Sequence, residues 1–250
     1  MPSMFMGEQG NVMTARAIEE LIELTEGLMR DVVDEAESAS LNPSASAEPS
    51  LYGMIRYHLG WVDEQFSDVR ADPGKRVRPA VCLLSTGAAG GDPKHAIPVA
   101  AGIELLHNFT LMHDDVQDSS TMRRGRPTVW HLWGEAQAIN AGDATFALSQ
   151  LAALRGRSAG MDGETLADIV DAFNRMTLQI VEGQVLDLGF EQRVNDRPDD
   201  YLRMISGKTA AIVAFATCAG ARVAGCHADI CEQDREFGRL LGLGFQVRDD

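Results

Sequence analysis

The 250-residue sequence predicts an all-α fold. Long stretches place apolar residues three and four positions apart, the period of a helix with one buried face. Nowhere do four to eight β-branched residues alternate between turn signals, so no sheet is expected. Several of the periodic stretches are rich in Ala, Gly and Leu and are apolar around much of their circumference, as helices buried inside a bundle of many helices are.

The elements follow in chain order. Residues 13–37 carry Ile18, Leu21, Ile22, Leu24, Leu28, Val32 and Val33 at helical spacing. The segment 39–50, ASLNPSASAEPS, is rich in Ser and Pro, which break helices and compete for backbone hydrogen bonds, so it is expected to be a loop. Helices are then expected from Pro79 to Gly90, from Ala96 to Met112, and over about 134–155, 163–190, 199–224 and 231–250, with Gly, Pro or Asp at their borders. The whole of 1–250 is expected to be one all-α domain, large enough for a sizeable core at 45% hydrophobic residues.

Charge narrows the function. Lys plus Arg number 22 and Asp plus Glu 37, a net charge of −15, which disfavours nucleic acid and anionic lipid as partners. Cations for an anionic ligand must therefore be gathered locally. Cys82, Cys218, Cys226 and Cys231 form no CxxC pair and are expected to be free thiols, and Cys226, His227 and Cys231 lack a fourth soft ligand at zinc spacing. The opening MPSMFMGEQGNV has no basic region followed by an apolar run, and no stretch approaches the length of an uninterrupted apolar membrane span. The expectation is a cytoplasmic location.

Such a gathering occurs in HDDVQDSSTMRRGRPT, residues 113–128, where three carboxylates precede three arginines. On a helix Asp114 and Asp118 share a face and Asp115 stands about 100° around, a fan of oxygens. Carboxylates so crowded raise one another's pKa unless a cation relieves them, and hard oxygen donors without cysteine suit Mg2+ or Mn2+. The apolar IELLHNFTLM upstream places this cluster at the mouth of a buried helix, and the adjacent Arg123 and Arg124 can hold phosphate oxygens through bidentate hydrogen bonds. Metals on one side and arginines on the other can share one diphosphate. A second basic group, Asp72-Pro73-Gly74-Lys75-Arg76-Val77-Arg78-Pro79, places Lys75, Arg76 and Arg78 on a turn or first helical turn, also suited to a phosphate. Ser206-Gly207-Lys208-Thr209 is expected to open an apolar helix; it is no Walker A loop, because Leu202 stands where the first glycine would be. The sequence closes on FQVRDD, a second carboxylate pair at Asp249 and Asp250 that can face the first across a bundle.

The ordered set GKRVRP, HNFTLMHDDVQD followed by RRGRPT, GKT and FQVRDD resembles the trans-isoprenyl diphosphate synthases, the polyprenyl synthetases, over residues 74–250. The resemblance implies antiparallel helices around a deep cavity, a Mg2+-dependent condensation of isopentenyl diphosphate with an allylic diphosphate, and a homodimer. It further implies that Asp114, Asp115, Asp118, Asp249 and Asp250 bind Mg2+. Lys75, Arg78, His107 and Arg124 match isopentenyl diphosphate ligands, while Arg123, Lys208, Thr209 and Gln246 match contacts to the C5, C10 or C15 allylic substrate. Gln184 and Asp187, in EGQVLDL, match a supporting motif. Phe109 and Thr110, five and four residues before Asp114, are candidates for setting product length, in a pattern that resembles enzymes making the C20 product. Helical periodicity does not lead to that role for Phe109, because five residues put it about 140° from Asp114. In the family the second acidic motif continues past its first two aspartates into a basic segment, so the sequence is expected to be a piece of a longer chain. A terpene cyclase needs no second diphosphate site, which GKRVRP and RRGRPT together argue for; a non-catalytic partner subunit is the other alternative.

Overall fold

A computed structural model describes residues 15–40, 50–72, 74–190 and 197–249. Ten helices run through them: α1 (Ala15–Ser38), α2 (Leu51–His58), α3 (Val77–Ala88), α4 (Ile97–Gln117), α5 (Val129–Trp133), α6 (Glu135–Leu154), α7 (Gly163–Phe190), α8 (Pro198–Ile205), α9 (Ala211–Val223) and α10 (Ala228–Asp249). The predicted long helices are present with ends within a few residues of expectation, and the all-α class holds.

α4 is the axis of the bundle. Val99, Ile103 and Leu106 on one side join Phe173 and Phe215 in one core, and Ala101, Leu105 and Met112 on the other join Val33, Ile55 and Trp61 in a second. This is why its sequence is apolar all round: it has no solvent face along most of its length. Small residues allow close approach at the crossings. A side chain on Gly102 would meet the Ser149 carbonyl of α6 at 2.9 Å, and one on Gly220 of α9 would collide with the Cys82 carbonyl of α3.

The structure departs from expectation at three places. α2 was not predicted; Ser50 caps it, its hydroxyl accepting from the Gly53 amide at 3.1 Å. The arginine segment forms a minimal antiparallel ribbon, β1 (Met122–Arg123) with β2 (Arg126–Pro127), where no sheet was expected. The turn needs Arg124 and Gly125 at positive φ, 50° and 75°. The helix expected over 199–224 is α8, one π-turn at Ser206–Ala210, and α9, so the SGKT segment is a bulge within a helix and not a capped start. Of the expected loop 39–50, residues 41–49 lie outside the described residues. All four cysteines are free, and three of them are buried.

Candidate active site

The C-terminal half of α4, the middle of α7 and the π-turn enclose a cavity of about 300 Å3. Its rim is polar, with Arg78, His107, Asp114, Gln184, Lys208 and Thr209; its wall is Phe109, Ile180, Val181, Val185 and Leu188. A larger open cleft of about 810 Å3 lies between α7, α8 and α10. It contains Gly207 but none of the predicted site residues, most of which line the smaller cavity and the narrow space beside Asp115, Arg123 and Arg124.

On the acidic side, burial followed by the charges of Asp118 and Asp115 pushes the Asp114 carboxyl up to about 6, against the pull of Lys208 and Arg123. The cation facing it is fixed by backbone packing. Side chains on Gly183 or Gly207 would collide with the π-turn or with α7, so both glycines let the turn press onto α7. Lys208 then pairs with Asp187, one helical turn beyond Gly183. Burial alone would lower the Lys208 ammonium; Asp187, Asp114 and Asp118 together outweigh it and raise the pKa. Thr209 donates to Gln246 of α10 at 2.8 Å, and Gln184 donates to Gln117 at 2.8 Å, tying α7 to the end of α4. Asp249 sits one turn past Gln246, continuing that face of α10; Asp250 lies outside the described residues.

The basic side is built on buried pairs. Gly74, at φ 82°, donates its amide to Asp72 at 2.8 Å. Arg76 was expected to project toward a phosphate. It turns inward at φ 49° instead, and its Nη1 donates to Glu104 of α4 at 2.5 Å, which also accepts from Asn108 at 3.1 Å. Lys75 is exposed, and Arg78 donates from Nη1 to His107 Nε2 at 3.1 Å. Burial, then the charges of Arg78, Arg124 and Arg123, hold the His107 pKa well below its usual value, so the imidazole is neutral and accepts at Nε2. The Arg124 guanidinium lies against Gly74, where any β-carbon would approach it to 2.8 Å, so the two basic motifs meet.

Arg123 and Arg124 do not form the adjacent pair that was expected. Arg123 lies in the ribbon and donates from Nε to Asp115 at 2.8 Å, while Arg124 takes the left-handed turn and points toward Gly74. The three carboxylates stay close: Asp118 caps α4 with its amide on the Asp114 carbonyl at 2.8 Å, its charge acts on both Asp114 and Asp115, and Asp115 turns to Arg123. Sequence reasoning missed what braces the ribbon. Arg126 donates to the carbonyls of Tyr57 at 3.1 Å and Val62 at 2.7 Å and lies over the Tyr57 ring at 4.0 Å. His58, beside Arg123, Arg124 and Arg126, is held down to about 3 by burial and then by these arginines and Arg76.

The donor set suits a hard divalent cation. Asp115 Oδ2 is shielded from solvent without a hydrogen-bond partner, and the raised Asp114 pKa marks negative charge that a cation would relieve. Among the described residues no three His, Cys, Asp or Glu side chains close into a metal cage.

An all-α bundle thus holds charged groups at the rim of an apolar-walled cavity. The polyprenyl synthetase family model matches residues 60–250. A (2E,6E)-farnesyl diphosphate synthase of Mycobacterium tuberculosis is 40% identical over 203 residues, 81% of this chain and 55% of the relative. The structure of a polyprenyl synthetase from Streptomyces coelicolor A3(2) superposes with a TM-score of 0.81 at 33% identity, over 95% of this chain and 66% of that one. A polyprenyl synthase from Caulobacter crescentus CB15, complexed with calcium and isoprenyl diphosphate, superposes with a TM-score of 0.72 at 29% identity, over 93% and 64%. The chain belongs to the polyprenyl synthetase family. It spans about half the length of the curated relatives it matches.

Proposed function

We propose that the protein is a magnesium-dependent prenyltransferase that condenses isopentenyl diphosphate with a C5, C10 or C15 allylic diphosphate. The product is a trans-polyprenyl diphosphate of C15–C20 or longer, with C20 favoured. The observation that carries this reading is the cavity in which a rim of Arg78, His107, Asp114 and Lys208 meets an apolar wall. A diphosphate head and a hydrocarbon tail require that combination in one place.

In this reading Lys208, Thr209, Gln246 and Arg123 receive the allylic diphosphate, and Lys75, Arg78, His107 and Arg124 receive that of isopentenyl diphosphate. The allylic C–O bond breaks with its electron pair leaving on the diphosphate, where the Lys208 ammonium meets the developing charge. The double bond of isopentenyl diphosphate supplies the electrons of the new C–C bond, and loss of a proton restores a double bond. Ile180, Val181, Val185 and Leu188 keep water from the cationic carbon. Asp114, Asp115, Asp118, Asp249 and Asp250 would hold Mg2+, or Mn2+, which would supply positive charge to the departing diphosphate. Asp187 orients Lys208, and Gln184 fixes the gap between α4 and α7. Phe109 forms the floor that limits the product; Thr110, whose hydroxyl donates to the His107 carbonyl at 2.8 Å, lies beside it.

Exposed Leu151 and Leu154 on α6 and Leu178 on α7 support a homodimer. The reading also places the protein in the cytoplasm. The span Pro198–Val223 is long and apolar enough to cross a membrane, but 78% of its most apolar window is buried in the bundle, as suits a core helix. Full-length protein incubated with Mg2+, labelled isopentenyl diphosphate and each allylic primer should yield longer diphosphates on chromatography. No elongation with any primer would defeat the reading.

A further inference from the structure

The Phe109 ring is held between two others. The His113 imidazole, one turn later on α4, stands edge-on to it with centroids 4.7 Å apart and planes at 65°. Phe146 of α6 tilts against it from behind at 5.4 Å and 48°. Neither His113 nor Phe146 belongs to the groups assigned to substrate or metal above.

His113 is itself seated on α6. Its Nε2 lies 3.3 Å from the Ile139 carbonyl oxygen and 3.5 Å from the Asp143 carboxylate. Its ring fills the notch at Gly142, where any β-carbon would collide with it. Ile139, Gly142, Asp143 and Phe146 stand at i, i+3, i+4 and i+7, one stripe of α6 turned toward Phe109 and His113. Of these rings, Phe109 and His113 line the cavity, and Phe146 backs Phe109 from the core.

We propose that Phe146 is a second determinant of product length, acting as the stop behind Phe109, with the His113–Gly142 seat keeping Phe109 against it. This rests on the reading of Phe109 as the cavity floor. A floor residue limits a growing chain only while it has nowhere to go, and in a close-packed interior the space behind it is filled by a specific neighbour. Removing the Phe146 ring opens room of about one isoprene unit, because a core side chain's neighbours collapse only partly into the space it leaves.

The test sizes the products of full-length protein, with isopentenyl diphosphate in excess, for wild type, Phe109→Ala, Phe146→Ala and the double variant. Circular dichroism confirms folding, and Phe146→Leu serves if the alanine variant does not fold. Phe146→Ala should yield a longer species that wild type lacks, and the double variant should exceed Phe109→Ala by at least one unit. Gly142→Ala, which displaces His113, should shift products in the same direction. The proposal is overturned if Phe109→Ala lengthens the product while Phe146→Ala matches wild type and the double variant matches Phe109→Ala. Unchanged product in Phe109→Ala would instead overturn the floor reading, and the proposal with it.

Discussion

The two charged sides of the cavity differ in how their charges are held. On the basic side, backbone and buried partners fix the arginines: Arg76 is locked to Glu104, Arg78 to the neutral His107, and the ribbon carrying Arg123 and Arg124 is bolted down through Arg126. On the acidic side the carboxylates are crowded, with Lys208 as the cation that faces Asp114, Asp118 and Asp187. One side is stiff and preorganised; the other holds carboxylates made costly by burial and crowding, which Lys208 and Arg123 only partly offset. That asymmetry suits two diphosphates, one received by rigid donors and one carried onto the acidic side by added cations.

The largest expected effect breaks the stiff side. Glu104→Ala strips the partner from a buried guanidinium and should cost about 3–5 kcal/mol of stability, measured by urea unfolding. A loss under about 1 kcal/mol would show that Arg76 finds other relief.

The next effect has the opposite sign. The folded-state pKa of Asp114, about 6, lies above its ordinary 3.8, so its favourable contribution is complete below about pH 4 and is lost as pH rises through 6. Asp114→Asn should therefore stabilise the metal-free protein at pH 8, by on the order of 1–3 kcal/mol, and the gain should vanish near pH 4. Equal effects at both pH values would remove the repulsion account. As the smallest effect, Arg175→Ala breaks an exposed pair with Asp171 and should leave the melting temperature unchanged within error.

Much of this was legible in the sequence. The order and spacing of the acidic and basic motifs located both sides, because each motif is contiguous and lies on or beside a strongly periodic helix. What a contiguous motif cannot reveal is which of its members points inward. Arg76 and Arg78 look equivalent in GKRVRP until the left-handed turn at Arg76 sends it to Glu104, 28 residues away. Arg123 and Arg124 look like one clamp until the ribbon separates them. α2 spans only eight residues, and its main anchor, the Arg126–Tyr57 stack, joins segments 69 residues apart. The Gly142 notch could not be seen either, since a glycine inside an apolar helix gives no sign of the ring that fills it. The expected SGKT helix start failed because Ser206 before an apolar run reads as an N-cap, while the close approach of Gly183 and Gly207 carries the helix through as a π-turn.

The central claim is that the crowded acidic side, with Lys208, receives the allylic diphosphate through added cations, while the rigid basic side receives isopentenyl diphosphate. Calorimetric titration of a non-reacting geranyl thiolodiphosphate into the full-length protein, with and without Mg2+, tests it most directly. The account predicts that Mg2+ tightens diphosphate binding by about 5–150-fold, the usual range of coupling between sites, and that the analogue tightens Mg2+ binding by the same factor. In Asp114→Asn the coupling should largely disappear. Equal affinity for the analogue with and without Mg2+ would contradict the account.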